Sequence, residues 1–165
     1  MQAMMRGSAY ADSFFSGFQG EDYSFMHAMT SDAIPSKAEA CRLANQYINQ
    51  NLGYYNDLLS GSMTLNIGGH RGKNLRNTLY NPYFRLGMAM HTVMDNTSPA
   101  HTGFQAWDSS QIGRHGDNIP LTPFGSQTEE DLNALLSRPD LIGQIVNNMS
   151  NAASNGQGLD CSCYQ

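Results

Sequence analysis

The 165-residue sequence predicts an all-α fold in a single domain. Apolar residues recur at three- and four-residue steps in several segments, and these segments begin at recognisable helix start signals. No segment alternates apolar and polar residues convincingly enough to predict a strand. We therefore expect one domain over residues 1–165. Its ends should be irregular, over 1–22, with at most one short helix, and over 152–165.

The first long helix is predicted from Ser36 to about Leu59. Ser36 stands three residues before Glu39, which is the spacing of a capping box at a helix N-terminus. Apolar residues then follow at helical spacing, namely Leu43, Ala44, Tyr47, Ile48, Leu52, Tyr55 and Leu59. Upstream, the segment Tyr23 to Met29 predicts a helical turn that carries His27.

A second helix is predicted to begin at Pro82, because proline suits the first position of a helix. It should end near Asn96, before Ser98 and Pro99. The remaining composition predicts loops over 61–81 and 108–127, a short helix opening at Thr128, and a last amphipathic helix from Leu141 to Met149.

The charge pattern argues against a protein that binds duplex DNA tightly. Charged residues make up only 14% of the chain, and the formal net charge is −5 at pH 7. Basic residues cluster only at Arg71, Lys73 and Arg76. No transmembrane segment and no signal peptide are visible, so we expect a soluble protein. The sequence is equally compatible with a piece of a longer chain.

Three cysteines bear on the compartment of the protein. Cys41 lies within a helical pattern and is predicted to be a small buried apolar residue. Cys161 and Cys163 form a C-x-C pair near the C-terminus, where a flexible tail is the main expectation. A disulfide bond and adventitious metal binding are the lesser alternatives for this pair.

The segment MHTVMDNTSPAH, from Met90 to His101, contains the strongest functional pattern. His91 and Asp95 are four residues apart, so both side chains leave the same face of a helix. Pro99 ends the helix, and His101 follows it by two residues. An isolated His–Asp pair is usually a surface contact. The complete pattern H-x-x-x-D-x-x-x-P-x-H instead favours a site for a divalent metal ion.

This pattern closely resembles the signature of zinc-dependent phospholipases C and of the fungal-type single-strand-specific nucleases. The resemblance implies a compact helical domain similar to a shortened zinc-dependent phospholipase C fold. It also implies a cluster of one to three zinc ions that hydrolyses phosphodiesters. In such a site, His91, Asp95 and His101 would be metal ligands.

The resemblance assigns further ligands by their spacing along the chain. His115 follows His101 by fourteen residues, and His70 lies in the loop upstream of the signature helix. Asp57 stands thirteen residues before His70, and His27 takes the place of a ligand near the N-terminus. All five histidines of the chain therefore find a place in the family pattern. Read without the resemblance, His70 and His115 are ordinary loop histidines, and Asp57 is a common helix-end residue.

The chain also departs from the family pattern. Family members usually begin with a tryptophan that binds zinc, whereas this chain begins with Met1 and its single tryptophan is Trp107. The family carboxylate four residues after the fifth histidine is replaced by Ile119. Candidates to replace that carboxylate are Asp117, Glu129 and Glu130.

The expected function is that of a zinc-dependent phosphodiesterase similar to phospholipase C. His91, Asp95 and Asp57 would hold the catalytic metals, while Arg71 and Trp107 would contact the substrate. The low basic content favours a phospholipid substrate. A single-strand nuclease with the same metal core is the alternative, with Tyr80, Tyr83 or Phe104 as stacking surfaces for bases. A non-catalytic domain stabilised by metal is a third alternative.

A small hydrolase without a leader also resembles the C-terminal toxin modules of bacterial polymorphic toxins. That resemblance implies secretion or delivery as part of a larger toxin. It further implies an immunity protein as a partner.

Overall fold

Four α-helices and two 3₁₀-helices form the regular structure in a computed structural model that describes residues 1–12, 16–62, 79–98, 101–107 and 138–164. In chain order they are α1 (Gln2–Ala11), a 3₁₀-helix (Glu21–His27), α2 (Lys37–Ser60), α3 (Pro82–Thr97), α4 (Pro139–Asn155) and a 3₁₀-helix (Ser162–Tyr164). Strand-like pairing in the described residues is limited to one bridge between Thr30 and Ala106. The all-α prediction is confirmed. None of the described helices has both the length and the apolar content needed to cross a bilayer.

Helix α2 begins and ends where its local sequence predicts. The Ser36 hydroxyl oxygen accepts a hydrogen bond from the Glu39 backbone N–H at 3.3 Å, which satisfies one of the free donors of the first turn. The Glu39 carboxylate pairs with Arg42 instead of returning to the backbone of Ser36. Gly61 ends the helix with φ +71°, a left-handed conformation that glycine adopts without steric cost.

Helix α3 contains His91 and Asp95 of the predicted signature and is also bounded by local signals. The Asn81 side chain accepts a hydrogen bond from the Tyr83 backbone N–H at 2.9 Å, and Pro82 occupies the first turn. Ser98 is extended, as expected for a residue that precedes a proline. Both His91 and Asp95 lie on the buried face of α3, in its last two turns.

The N-terminal segment is more regular than the sequence predicted, because α1 packs closely against α3. A Cβ atom added to Gly7 would lie 2.0 Å from the Phe84 carbonyl oxygen. A Cβ atom added to Gly87 would lie 2.0 Å from the Met4 carbonyl oxygen. The two helix backbones are therefore in direct contact, which only glycine permits at both positions.

The C-terminal segment is also more regular than predicted, since α4 continues to Asn155. Beyond it, the chain lies along α2 and forms hydrogen bonds with two asparagines of that helix. Asn45 Nδ2 donates to the Leu159 carbonyl at 3.0 Å, and Asn49 Nδ2 donates to the Gly156 carbonyl at 2.7 Å. We call residues 156–164 the C-terminal strap.

A disulfide bond joins Cys41 of α2 to Cys161 of the strap, and this corrects the expectation of a lone buried Cys41 and a flexible C-x-C tail. The two cysteines are 120 residues apart in sequence, so no local pattern could pair them. Cys163 is the exposed free thiol. Disulfides of this kind persist in oxidising compartments and are rare in the cytosol.

The strap also supports the turn that follows α3. The ring of Tyr164 packs edge-on against Phe104, with 5.5 Å between the ring centroids. Lys37 Nζ donates a hydrogen bond to the Gly103 carbonyl at 2.6 Å on the same turn. Phe104 is buried in a core that α2, α3 and α4 share with the strap. It is therefore not exposed to stack a nucleobase, which corrects one of the proposed stacking residues.

Loss of the disulfide should lower the free energy of unfolding by about 2–4 kcal/mol, because the bond restricts the unfolded chain. We expect Cys161→Ser, or wild-type protein treated with a thiol reductant, to unfold at lower urea concentration than the oxidised wild type. Cys163→Ser is the matched control and should behave as wild type. A Cys161→Ser variant with an unchanged urea midpoint would contradict the assigned bond.

Candidate metal centre

Three histidines from three different parts of the chain meet in the interior of the protein. His27 ends the first 3₁₀-helix, His91 lies in α3, and His101 lies in the turn after α3. Their exposed fractions are 3%, 3% and 1%. A buried histidine normally needs a polar partner or a metal. The burial of three such side chains together therefore requires an explanation from their contacts.

Backbone contacts fix the position of His27 relative to α3 and the following turn. The Thr92 hydroxyl of α3 donates to the Met26 carbonyl at 2.6 Å. The Thr30 N–H donates to the Gln105 carbonyl at 2.9 Å, and the Trp107 N–H donates to the Thr30 carbonyl at 2.6 Å. These bonds hold the end of the 3₁₀-helix between α3 and residues 105–107.

His101 returns to the cluster because the chain turns directly after α3. Its backbone N–H donates to the Ser98 carbonyl at 3.2 Å, which closes the turn. Its ring Nδ1 donates to the His27 carbonyl at 2.5 Å. Because a carbonyl only accepts, Nδ1 carries the proton, and a neutral His101 keeps its lone pair on Nε2. The nitrogen that forms this bond is the one that lies 3.9 Å from Asp95 Oδ2.

Asp95 lies at the centre of the three imidazoles. Its Oδ2 is 3.0 Å from His91 Nε2, 3.3 Å from His27 Nδ1 and 3.9 Å from His101 Nδ1. Despite these short distances, no described group is aligned to form a hydrogen bond with this buried oxygen. A buried carboxylate oxygen without a hydrogen bond is costly. A bound cation would satisfy it, and this observation fits a metal at this position.

The electrostatic surroundings of Asp95 favour its ionised form. Burial alone raises the pKa of this carboxyl group. The electrostatic influence of His91 and the close ring nitrogens of His27 and His91 lower this pKa by more. The net effect holds the pKa of Asp95 well below its usual value, so the group is a carboxylate at neutral pH.

The structure adds Asp12, which sequence reasoning missed. Asp12 follows α1, and its Oδ1 lies 3.6 Å from His27 Nδ1 and 3.4 Å from His91 Nε2. Its side chain is 36% exposed, so the cluster reaches solvent on this side. An aspartate at the end of a short helix carries no local signal of metal binding. The one indirect signal is that the zinc-binding tryptophan with which family members begin is missing, so a replacement ligand is expected near the N-terminus.

The distances within the cluster match the size of a metal coordination shell. Donors bound tetrahedrally to zinc at about 2.0–2.1 Å are separated from one another by about 3.3 Å. His27 Nδ1 and His91 Nε2 are 3.1 Å apart. The distances from these two nitrogens to Asp12 Oδ1 are 3.6 and 3.4 Å, and those to Asp95 Oδ2 are 3.3 and 3.0 Å. Two triangles of donors thus share the His27–His91 edge.

Asp12, His27 and His91 together could hold a metal ion. Imidazole nitrogen and carboxylate oxygen suit zinc and several other divalent transition metals. The donor set therefore defines the class of ion and leaves its identity open.

The other predicted site residues lie outside this cluster or outside the described residues. Asp57 is exposed near the end of α2, where its Oδ1 accepts from the Ser62 hydroxyl at 3.3 Å. None of the contacts of Asp57 in the described part of the chain is with a histidine. Trp107 is half-buried, and its ring centroid lies 5.7 Å from that of His27. His70, Arg71 and His115 fall outside the described residues, so their predicted roles stay predictions.

A groove of about 670 Å³ lies elsewhere, between α2 and the C-terminal strap. Its walls include Asn45 and Asn49, whose amide groups are already engaged by the strap. None of the residues that line this groove is a histidine. The groove is therefore separate from the chemistry of the cluster.

Comparisons of the chain with protein-family models, with curated proteins and with solved structures gave no match. The candidate metal centre thus rests on the geometry of Asp12, His27 and His91, beside which Asp95 and His101 lie.

Proposed function

We propose that the protein is a zinc-dependent phosphodiester hydrolase with a phospholipase C-like activity. The observation that carries the proposal is the buried Oδ2 atom of Asp95, which lacks a hydrogen bond and lies within 3.3 Å of two imidazole nitrogens. Two of the three residues in this arrangement, His91 and Asp95, belong to the segment whose sequence resembles the signature of zinc phospholipases C and related nucleases. The residues that could hold a metal and the residues of the sequence pattern therefore share His91, and Asp95 of the pattern lies beside them.

Each residue of the cluster has a distinct part in this proposal. When bound, zinc supplies an activated water and a Lewis acid for the phosphate oxygens. Asp12, His27 and His91 would hold the ion through Oδ1, Nδ1 and Nε2, and the Asp95 carboxylate would balance its charge. The bond from His101 to the His27 carbonyl fixes the orientation of the His101 ring. Asp12 marks the solvent-exposed side, by which substrate would enter.

An amphipathic phosphodiester, such as a phospholipid, is the substrate class that the surface supports best. Helix α1 leads to Asp12 and exposes the side chains of Met1 and Met5 to solvent. Exposed apolar side chains on the segment that leads to Asp12 suit contact with an acyl chain. The net charge of −5, with nine basic residues in total, supplies little attraction for a polyanion.

A single-strand-specific nuclease is the second candidate, and exposed aromatic side chains favour it. Tyr83 is exposed, and its ring lies 6.1 Å from that of Tyr55. Such a pair could stack against unpaired bases. The phospholipase remains first because Tyr83 is at the first turn of α3, whereas His91 and Asp95 are in its last two turns.

Delivery as a toxin module belongs to the same proposal. The Cys41–Cys161 disulfide supports a working environment outside a reducing cytosol. In this proposal the module acts after export as part of a larger toxin, and an immunity protein protects the producing cell by binding it.

The purified protein should contain at least one zinc ion per chain. Zinc added at about 100 times its dissociation constant should stabilise the fold by about 2.7 kcal/mol, because it binds only the folded state. His91→Ala should abolish both effects, and Gln50→Ala, on the exposed face of α2, should retain them. Elemental analysis and thermal unfolding with and without a chelator measure this. Metal-free protein that does not respond to zinc would refute the metal centre.

Asp95→Asn should retain the fold and lower phosphodiester hydrolysis by at least about 100-fold, because it removes the charge that balances the metal. Asp140→Asn is the matched control, because Asp140 is exposed, pairs with Arg138 and is 45 positions from Asp95 in the sequence. Initial rates on a water-soluble phosphodiester at saturating zinc measure the difference. Equal rates for Asp95→Asn and wild type would assign Asp95 a purely structural role.

Phospholipid and single-stranded DNA should be distinguished by rate and by salt dependence. A nuclease must neutralise several phosphates, so its affinity falls steeply with salt, whereas one headgroup at a metal depends on salt only weakly. We expect cleavage of diacyl phospholipid vesicles that changes little from low to physiological salt, and little cleavage of DNA. Rapid DNA cleavage with intact phospholipid would make the nuclease the primary function. Zinc binding without either activity would favour a non-catalytic domain.

A further inference from the structure

Helix α1 contributes little apolar surface to the interior. Only Gly7 and Ala11 of this helix are buried, and neither has a side chain larger than a methyl group. Tyr10 is half-buried and packs against Phe84, with 5.5 Å between the ring centroids. The hydrophobic stabilisation of α1 therefore comes from partly buried side chains such as Met4 and Tyr10. A ten-residue helix is also marginal on its own in water, so its structure depends on docking.

Two further contacts position α1 on the rest of the protein. The first is the crossing with α3, where Gly7 and Gly87 bring the helix backbones together. The second is its C-terminal end, where Asp12 meets His27 and His91. Gln19 reinforces this end, because its Nε2 donates to the Ala11 carbonyl at 3.0 Å and lies 3.4 Å from His27 Nε2.

These observations connect the metal centre to the docking of a helix. Asp12 directly follows α1, whereas His91 belongs to α3. A divalent cation between them would bind α1 directly to α3. Because α1 has no large side chain fully buried, the coordination bonds to the metal would add substantially to its docking free energy.

We propose that a divalent metal ion bound by Asp12, His27 and His91 clamps helix α1 onto α3, so that metal binding and α1 docking form one coupled equilibrium. The proposal rests on the metal centre of the proposed function and is independent of whether phosphodiesters are cleaved. Coupling of this kind is reciprocal. Any change that undocks α1 must weaken metal binding by the factor by which metal strengthens docking.

A variant that changes no ligand tests this reciprocity. In Gly87→Ala the added methyl group would lie 2.0 Å from the Met4 carbonyl oxygen and 2.9 Å from the Ser8 nitrogen, so α1 must move away. We expect its zinc affinity to fall by about 5- to 150-fold, the usual range of coupling between sites. Gly53→Ala in helix α2 is the matched control, because its added methyl group would have no atom within 4 Å. Titration with zinc alone, against a competing chelator, measures both.

Hydrogen exchange on the wild-type protein provides a readout that does not depend on any variant folding. Zinc should slow exchange of the α1 amides as well as those around His91. In Asp12→Asn, zinc should still slow exchange around His91 but no longer along α1. Zinc binding that leaves α1 exchange unchanged in the wild type would overturn the coupling, as would an unchanged zinc affinity in folded Gly87→Ala.

The outcomes separate this inference from the proposed function. Zinc-dependent protection of α1 in a protein that cleaves no phosphodiester would retain the clamp and refute the hydrolase. Hydrolysis without zinc-dependent protection of α1 would retain the hydrolase and refute the clamp. Absence of zinc binding would overturn both.

Discussion

The approach of His27 Nδ1 to His91 Nε2, at 3.1 Å, is the contact on which the rest of the candidate site depends. Two imidazole nitrogens at this distance need a shared proton or a shared cation between them. Asp95 and Asp12 lie against the same pair and bring two negative charges to it. A cation therefore resolves the polar requirements of all four side chains, which is the physical basis for placing a metal here.

The parts of the structure that sequence predicted are those specified by local signals. Helix α2 follows from the hydroxyl of Ser36 and the conformational freedom of Gly61. His91 and Asp95 share a face because helical geometry places residues four apart together. The return of His101 follows from the turn at the end of α3. Each of these inferences needed only residues that are close together in the sequence.

The parts that sequence did not predict depend on contacts between distant segments. Asp12 and His91 are 79 positions apart, and nothing in either local sequence indicates that the two side chains meet. Gly7 and Gly87 look like ordinary helix-weakening glycines until both are seen at one helix crossing. The pairing of Cys41 with Cys161 is likewise a property of the folded chain. Non-local packing, and not secondary structure, therefore determines the composition of the site.

The disulfide between α2 and the C-terminal strap has a consequence for the timing of biosynthesis. Cys161 leaves the ribosome 120 residues after Cys41, and Tyr164, which supports Phe104 in the His101 turn, leaves three residues later. A nascent chain therefore carries all three cluster histidines before the strap can hold the turn in place. Because the bond also needs an oxidant, a chain still in a reducing cytosol keeps the strap unlinked. In the cell that makes the protein, the cluster histidines are thus synthesised before the strap and its disulfide can hold the His101 turn.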